Sequence, residues 1–408
     1  MAEQQIVIKR DADGKRYVQP YLGVSKVTGR AIRPRKSFES SMTDEEVMEA
    51  AREWLVKVSR GAAVGISCKT DELLEYYLDV LASNQDYADN TVATYRRWAD
   101  KYAQKLHDYY AFDITPMIVS DLISHLRKHG GADGRPLSST TARSFAWFLS
   151  GFFRWLVRMG ICDSNPCTTV KVRSNDASES QALDATDIDV IVPALREEME
   201  SDAGTARERK RRCSAFLAYL TLNTGLRVGE ACALRRGDLM PNGDLQVCGT
   251  VTEVGGLKRS SRTKGKRTRR VETDERTREA IREHMAWEDE ILKAAKRRPR
   301  SSTPLATLDG GYLRPSAVSR EFKRIATDLG MPEWVRYHTL RHTHATWLLQ
   351  DGADINDVAK RLGHADVATT LRIYGHALPG GRQAMAERFA SMMDQYEPGG
   401  RAKSTRED

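Results

Sequence analysis

A chain of 408 residues with 29% charged side chains has the length for two or three domains. It offers no run of about 18 apolar residues to span a bilayer. Its start, MAEQQIVIKR, lacks the apolar core of a signal peptide, and its six scattered cysteines include no CxxC pair. The expectation is a cytoplasmic protein with reduced thiols, no membrane partner, no disulfide framework and no cysteine zinc site. A net charge of +8 suits an anionic partner.

Residues 1–60 are expected to form three strands and a helix. IVIKR, KRYVQPYLGV and RAIRPRKSF are separated by DADG and KVTG, each with a glycine where a hairpin needs positive φ. Thr43 with Glu46 makes a capping-box pattern, and Val47, Ala50, Ala51, Trp54, Leu55 and Val58 form one apolar stripe. The third strand carries Arg30, Arg33, Arg35 and Lys36, a density that suits a sheet face laid in a DNA groove. Protection of an edge strand by charge is the plainer alternative.

Residues 70–173 read as a helical bundle. Leu73, Leu74, Tyr77, Leu78 and Leu81 fit one helix, Asn90 is placed to cap a second, and Thr115-Pro116 opens a third that stops at Gly130. In the fourth, Phe145, Phe148, Leu149, Phe152, Trp155, Leu156 and Met159 recur at helical spacing, as bundle core does. SNDASESQA, residues 174–182, is polar and aperiodic and reads as a linker. Residues 183–396 form an α+β domain, helical except where alternation and glycines between Gly243 and Asp274 predict a small antiparallel sheet. Residues 397–408 have the composition of a disordered tail.

The hairpin of that sheet contains LKRSSRTKGKRTRR, residues 257–270, with eight basic side chains and no acid. Its surplus equals that of the whole chain, so Lys258, Arg259, Arg262, Lys266, Arg267 and Arg269 are expected on phosphates, where neutralisation releases counterions. A solvated loop is the alternative.

HTLRHTHATW, from His338 to Trp347, places His338 and His342 one helical turn apart, the spacing of paired zinc ligands. Zinc proteases put a general-base glutamate between such histidines, whereas Thr339, Leu340 and Arg341 stand here. A guanidinium is repelled by a dication and forks onto a phosphate, so the stretch reads as an anion grip. No metal or other cofactor is expected.

Four stretches then share one explanation: TGLRVGE (224–230), TKGKRTRRV (263–271), HTLRH (338–342) and LGHADVATTLRIYGH (362–376). In order, spacing and context they resemble the tyrosine recombinases, the phage integrase family. The resemblance implies a multidomain, mainly α fold with small β-sheets: an arm-type DNA-binding domain, a helical core-binding domain and a catalytic domain. The amino-terminal likeness, to integrases of conjugative transposons and some phages, is the looser one. It makes Tyr374 the nucleophile, Arg227 and Arg341 the arginine pair, His338 the histidine before the second arginine, His364 the auxiliary histidine, Lys264 the hairpin lysine and Glu230 the supporting acid. Its register K-G-x-K-x-R-x-V favours Lys264 over the competing Lys266. His342, His344 and His376 receive no role.

The chemistry fits that set. Charge developing on two nonbridging phosphate oxygens is stabilised by guanidinium and imidazole donors without a metal. A phenol of ordinary pKa, about 10, needs a base or a positive field, with His338 as acceptor. The leaving 5′ oxygen needs a proton, and a lysine crowded by cations is a plausible donor. The expected function is integration or excision of a phage or mobile element through a 3′-phosphotyrosine. A homotetramer would act on core and arm attachment sites, with an excision factor and a host DNA-bending protein as candidate accessories. In RQAMAERFASMMDQY, Met385, Phe389, Met392 and Tyr396 form a stripe suited to docking on a neighbouring subunit. The rivals are a type IB topoisomerase and a noncatalytic DNA-binding regulator.

Overall fold

The computed structural model describes residues 6–63, 65–84, 86–130, 134–172, 181–260, 268–375 and 382–393. The chain divides into two compact units, residues 1–177 and 178–408. Among the described residues no helix is long and apolar enough to cross a membrane.

In the first unit, β1 (Lys9–Arg10), β2 (Arg16–Val18) and β3 (Lys36–Ser37) form an antiparallel sheet in that order. The third strand is shorter than expected. Pro34 has no N–H to give a ladder, and only Lys36 of the four expected basic residues lies within β3. Upstream, an isolated bridge between Val24 and Ala31 closes a separate turn that carries Arg30. Arg35 lies over the Tyr17 ring at 3.9 Å and pairs with Asp11 at 3.3 Å; Arg33 lies over Tyr21 at 5.4 Å.

The helix α1 (Asp44–Ala62) starts as expected: Thr43 Oγ1 accepts the Glu46 N–H, and the Glu46 carboxylate accepts the Thr43 N–H at 2.6 Å. Its buried face, Val47, Ala51, Trp54 and Val58, covers Val18 and Phe38 of the sheet. Burial of each large side chain contributes about 1.5–3 kcal/mol. Tyr110 and Phe112 pack on the same cluster and on the bundle core, so sheet and bundle share one unit rather than standing as separate bodies.

The bundle comprises α2 (Thr70–Ser83), α3 (Asp89–Tyr102), α4 (Pro116–His129) and α5 (Ser139–Arg158). Thr115 caps α4 and Gly130 ends it, and Phe145, Phe148, Leu149, Phe152 and Leu156 are buried in the core. Asn90 does not cap α3: the helix begins two residues earlier, at Asp89 after Ala88, and no side chain caps it. Trp155 is only partly buried, and Met159 is 40% exposed and falls just beyond α5.

The second unit is built on α7 (Ala206–Thr224), buried almost continuously from Arg212, with α6 (Ala185–Glu200), α10 (Pro315–Asp328) and α11 (Tyr337–Gln350) packed on it. The short α8 (Val228–Ala231) follows α7. Two two-stranded sheets come next: β4 (Leu245–Val247) pairs with β7 (Arg269–Val271), and β5 (Thr250–Thr252) with β6 (Lys258–Ser260). After α9 (Glu275–Ala294) and α10–α11 come α12 (Ile355–Leu362), α13 (Val367–Tyr374) and α14 (Arg382–Met393). Tyr337, whose hydroxyl donates to Leu217 O at 2.7 Å and accepts from Thr221, pins the start of α11 to α7.

Candidate active site

Two left-handed glycines let the site close. Gly225 (φ +69°) ends α7, and a Cβ there would lie 2.7 Å from Leu362 and 2.8 Å from His344. Gly363 (φ +68°) ends α12, where a Cβ would meet Arg269 Nη1 at 2.6 Å. Arg227 lies two residues after the first turn and His364 directly after the second.

Arg227 stands at the N-terminus of α8. Glu230, 2% exposed, accepts its backbone N–H and its Nη1, both at 3.0 Å. Arg269 forks onto the same carboxylate at 2.8 and 3.2 Å. Burial opposes the charge, but the Arg269 hydrogen bonds and the Arg269 and Arg227 cations hold the Glu230 carboxyl down at about 2. Arg341, 1% exposed on α11, donates to Gly225 O at 2.6 Å and to Leu362 O at 2.8 Å. Arg227 Nη1 reaches that Leu362 oxygen at 3.5 Å, so both guanidiniums converge on one backbone acceptor. Burial and the neighbouring Arg227 pull Arg341 down to about 9, still a cation at neutral pH.

His364 lies between Arg341 and α13, with its Nε2 3.0 Å from Arg341 Nη2 and its Nδ1 2.7 Å from Thr370 Oγ1. On α11 the His338 and His342 rings meet edge to face at 4.5 Å, and His342 lies 5.5 Å from the Tyr374 ring. His338 keeps part of its ring in solvent, yet the protein packed around it, with His342, Arg341 and Arg227, pushes its imidazole well below the usual range. It is neutral at pH 7, and the same surroundings make it a weaker proton acceptor than an ordinary imidazole. Tyr374, 1% exposed, ends α13 among Ala345, Leu349, Val358 and Leu362, and its hydroxyl has no hydrogen bond among the described residues. Burial pushes its phenol upward, and the Arg341 and Arg227 charges work against that push.

Arg227, Glu230, His338, Arg341, His364 and Tyr374 therefore gather in one unit. Lys264, Arg262, Lys266 and Arg267 lie outside the described residues, as do His376 and Tyr396. Two residues expected on phosphates are turned inward instead. Arg259 donates to Ala233 O at 3.0 Å and pairs with Asp238, and Arg269 binds Glu230 and Arg361 O. Their side chains are only 11% and 10% exposed, because a buried carboxylate nearby claims each cation. Lys258 is exposed on β6.

The sequence reading did not single out Thr370 or Arg361. Arg361 Nε donates to His344 Nε2 at 3.0 Å while its Nη2 holds Asn223 O and Glu272 O, and His344 Nδ1 donates to Leu222 O. That network straps α11, the end of α7 and α12 together around Gly225. Thr370 stands one helical turn before Tyr374 on α13. The cluster Cys213, His284 and Glu288 has metal-ligand residue types, but Glu288 already accepts from Thr307 N and pairs with Arg236, and none of the three belongs to HTLRHTH.

One helical unit thus brings two arginines, two histidines and a tyrosine together, the residue types that the tyrosine recombinase resemblance calls for. Residues 187–380 match the phage integrase family, a little under half of the chain. The chain is 26% identical over 335 residues to tyrosine recombinase XerD of Bradyrhizobium diazoefficiens, covering 80% of this chain and 96% of the relative. It is 28% identical to XerC of Thermodesulfovibrio yellowstonii over 67% of this chain and 84% of that one. In fold it is similar to the Tn1549 transposon integrase solved with a circular intermediate DNA (TM-score 0.61, 16% identity, 78% of this chain and 99% of that one). A lambda integrase dimer bound to a core site is also similar (TM-score 0.53, 17% identity, 92% and 96%).

Proposed function

We propose that the protein cuts and rejoins duplex DNA at attachment sites of a mobile element or phage, with Tyr374 as the nucleophile. The observation that carries this reading is the convergence of Arg227 and Arg341 on one carbonyl oxygen, Leu362 O, beside Tyr374. Two cations held on a single acceptor are prearranged for an anion whose oxygens offer stronger charge-assisted bonds. When a phosphodiester occupies that place, the Tyr374 oxygen attacks phosphorus while its proton passes to neutral His338. The P–O5′ bond breaks as the new P–O(Tyr) bond forms, and the leaving oxygen takes a proton from Lys264. The resulting 3′-phosphotyrosine keeps the energy of the broken linkage, so a 5′ hydroxyl from another duplex reseals it without ATP.

The same reading gives the exposed Arg30, Arg33 and Arg35 and the half-buried Lys36 of the first unit an arm-type DNA segment, and Lys258 and the basic hairpin the core site. Assembly as a homotetramer rests on α14, where Phe389 and Met392 are 65% and 61% exposed, large apolar groups that favour cover by a neighbour. The relatives' DNA-bound structures support duplex DNA as the partner.

A nicked core-site duplex that loses its 5′ fragment on cleavage traps the covalent product. Wild type should accumulate an adduct resistant to denaturant, and Tyr374→Phe should give none while binding the duplex with nearly unchanged affinity. An adduct formed by Tyr374→Phe would move the nucleophile elsewhere.

A further inference from the structure

We infer that Thr370 is a positioning residue whose hydroxyl lets His364 exchange tautomers, accepting from Arg341 in the DNA-free protein and donating to the phosphate once DNA is bound. The inference rests on the assignment of Arg341, His364 and Tyr374 to the site.

A guanidinium has only donors, so His364 Nε2, 3.0 Å from Arg341 Nη2, presents its lone pair. The ring proton of a neutral imidazole is then on Nδ1, which donates to Thr370 Oγ1 at 2.7 Å. His364 is neutral on independent grounds: its half-buried place, beside Arg341, Arg227 and Arg269, pulls its imidazole to about 4. A phosphate oxygen that takes over Arg341 Nη2 would face the Nε2 lone pair, two acceptors in contact. That contact is repulsive unless Nε2 gains a proton.

The partner on the other nitrogen decides what this costs. A carbonyl or carboxylate can only accept, and it would hold the proton on Nδ1. A hydroxyl can accept or donate by rotating about its C–O bond. Thr370, 0% exposed, is such a partner. On DNA binding Nδ1 releases its proton to water, Nε2 takes one from water, and the Thr370 hydroxyl turns to donate to the bare Nδ1. The charge of His364 is unchanged, both ring nitrogens stay bonded in each state, and the half-exposed ring gives water access. Thr370 also sits one turn before Tyr374 on α13, so the same hydrogen bond links the helix of the nucleophile to Arg341 through His364.

The test uses the full chain and a core-site duplex. Thr370→Val keeps the shape and removes the hydroxyl. Single-turnover cleavage at saturating DNA should fall about 10- to 100-fold, by analogy with loss of the outer hydrogen-bond partner of a metal-bound histidine, with duplex affinity within about twofold of wild type. Thr370→Ser should recover most of the rate. In ¹⁵N-histidine-labelled Tyr374→Phe protein, which keeps Thr370, His364 Nε2 should change from unprotonated to protonated when the duplex is added. Its resonances are assigned by their loss in His364→Gln. Thr370→Val cleaving within about threefold of wild type, or a Nε2 that stays unprotonated on DNA, overturns the inference; the labelled spectrum decides alone should Thr370→Val not fold. If the site assignment itself is wrong, Tyr374→Phe still forms adduct, a different failure.

Discussion

Replacing Glu230 by Gln removes one negative charge and almost no volume from the acid that binds both Arg227 and Arg269. The carboxylate is 2% exposed and accepts three guanidinium hydrogen bonds, at 3.0, 3.2 and 2.8 Å. Its fall from an ordinary 4.5 to about 2 is worth about 3 kcal/mol of folding stability. That agrees with the roughly 3–5 kcal/mol lost when one partner of a buried ion pair is removed. At about 2–4 °C per kcal/mol for a unit of this size, Glu230→Gln should lower the Tm of the second unit by about 6–12 °C at neutral pH. Because the folded-state pKa lies below the unfolded one, the contribution is complete above pH 4.5 and disappears as the pH falls toward about 2. Thermal unfolding followed at several pH values should show wild type and variant converging through that window. A gap of the same size at neutral pH and at about pH 2.5 would mean that Gln disturbs packing, and the charge argument would be wrong.

The remaining expectations concern the reaction. Arg341→Ala should slow strand cleavage by about 10²-fold or more, as loss of an oxyanion donor does; near-normal rates would remove the clamp. Lys264→Ala should lose about 10² to 10⁴ in rate and regain it on a substrate with sulfur in place of the bridging 5′ oxygen, which leaves without a proton; rescue of Lys266→Ala instead would transfer the general acid to Lys266. EDTA should leave cleavage unchanged, and recovery on adding zinc after chelation would revive a metal role for HTLRHTH. Arg33→Glu with Lys36→Glu should weaken binding to an arm-type duplex and spare core-site cleavage; equal losses on both duplexes would contradict a separate arm surface.

Much of the fold was legible because it is written in local patterns. The Thr43–Glu46 box, the Thr115 cap and most of the stripes of α1 and α5 depend on neighbours within a few residues and formed as read; Trp155, only partly buried, and Met159, beyond the end of α5, did not. Gathering of the site residues followed from motif order rather than local pattern, since Arg227 and Arg341 meet through folding alone. Sequence failed where a distant partner decides the outcome. Nothing local tells Arg269, on a basic hairpin, that a buried carboxylate 39 residues earlier will take its guanidinium. Nor does spacing reveal that Thr370 faces His364, or that Tyr110 and Phe112 bind the amino-terminal sheet to the bundle. Pro34 was visible from the start, and its interruption of the third strand follows directly from its missing N–H.

The oxygen on which both arginines rest belongs to the main chain at Leu362, between Arg361 and Gly363. A survey that replaces every side chain in turn would therefore pass over it, since no substitution deletes a carbonyl. Its influence would surface at its neighbours: a larger residue at Gly363, where a Cβ would lie 2.6 Å from Arg269, or loss of the Arg361 strap. Such variants should resemble arginine knockouts while both arginines remain in the chain, and a screen scored only on activity would mistake them for catalytic positions.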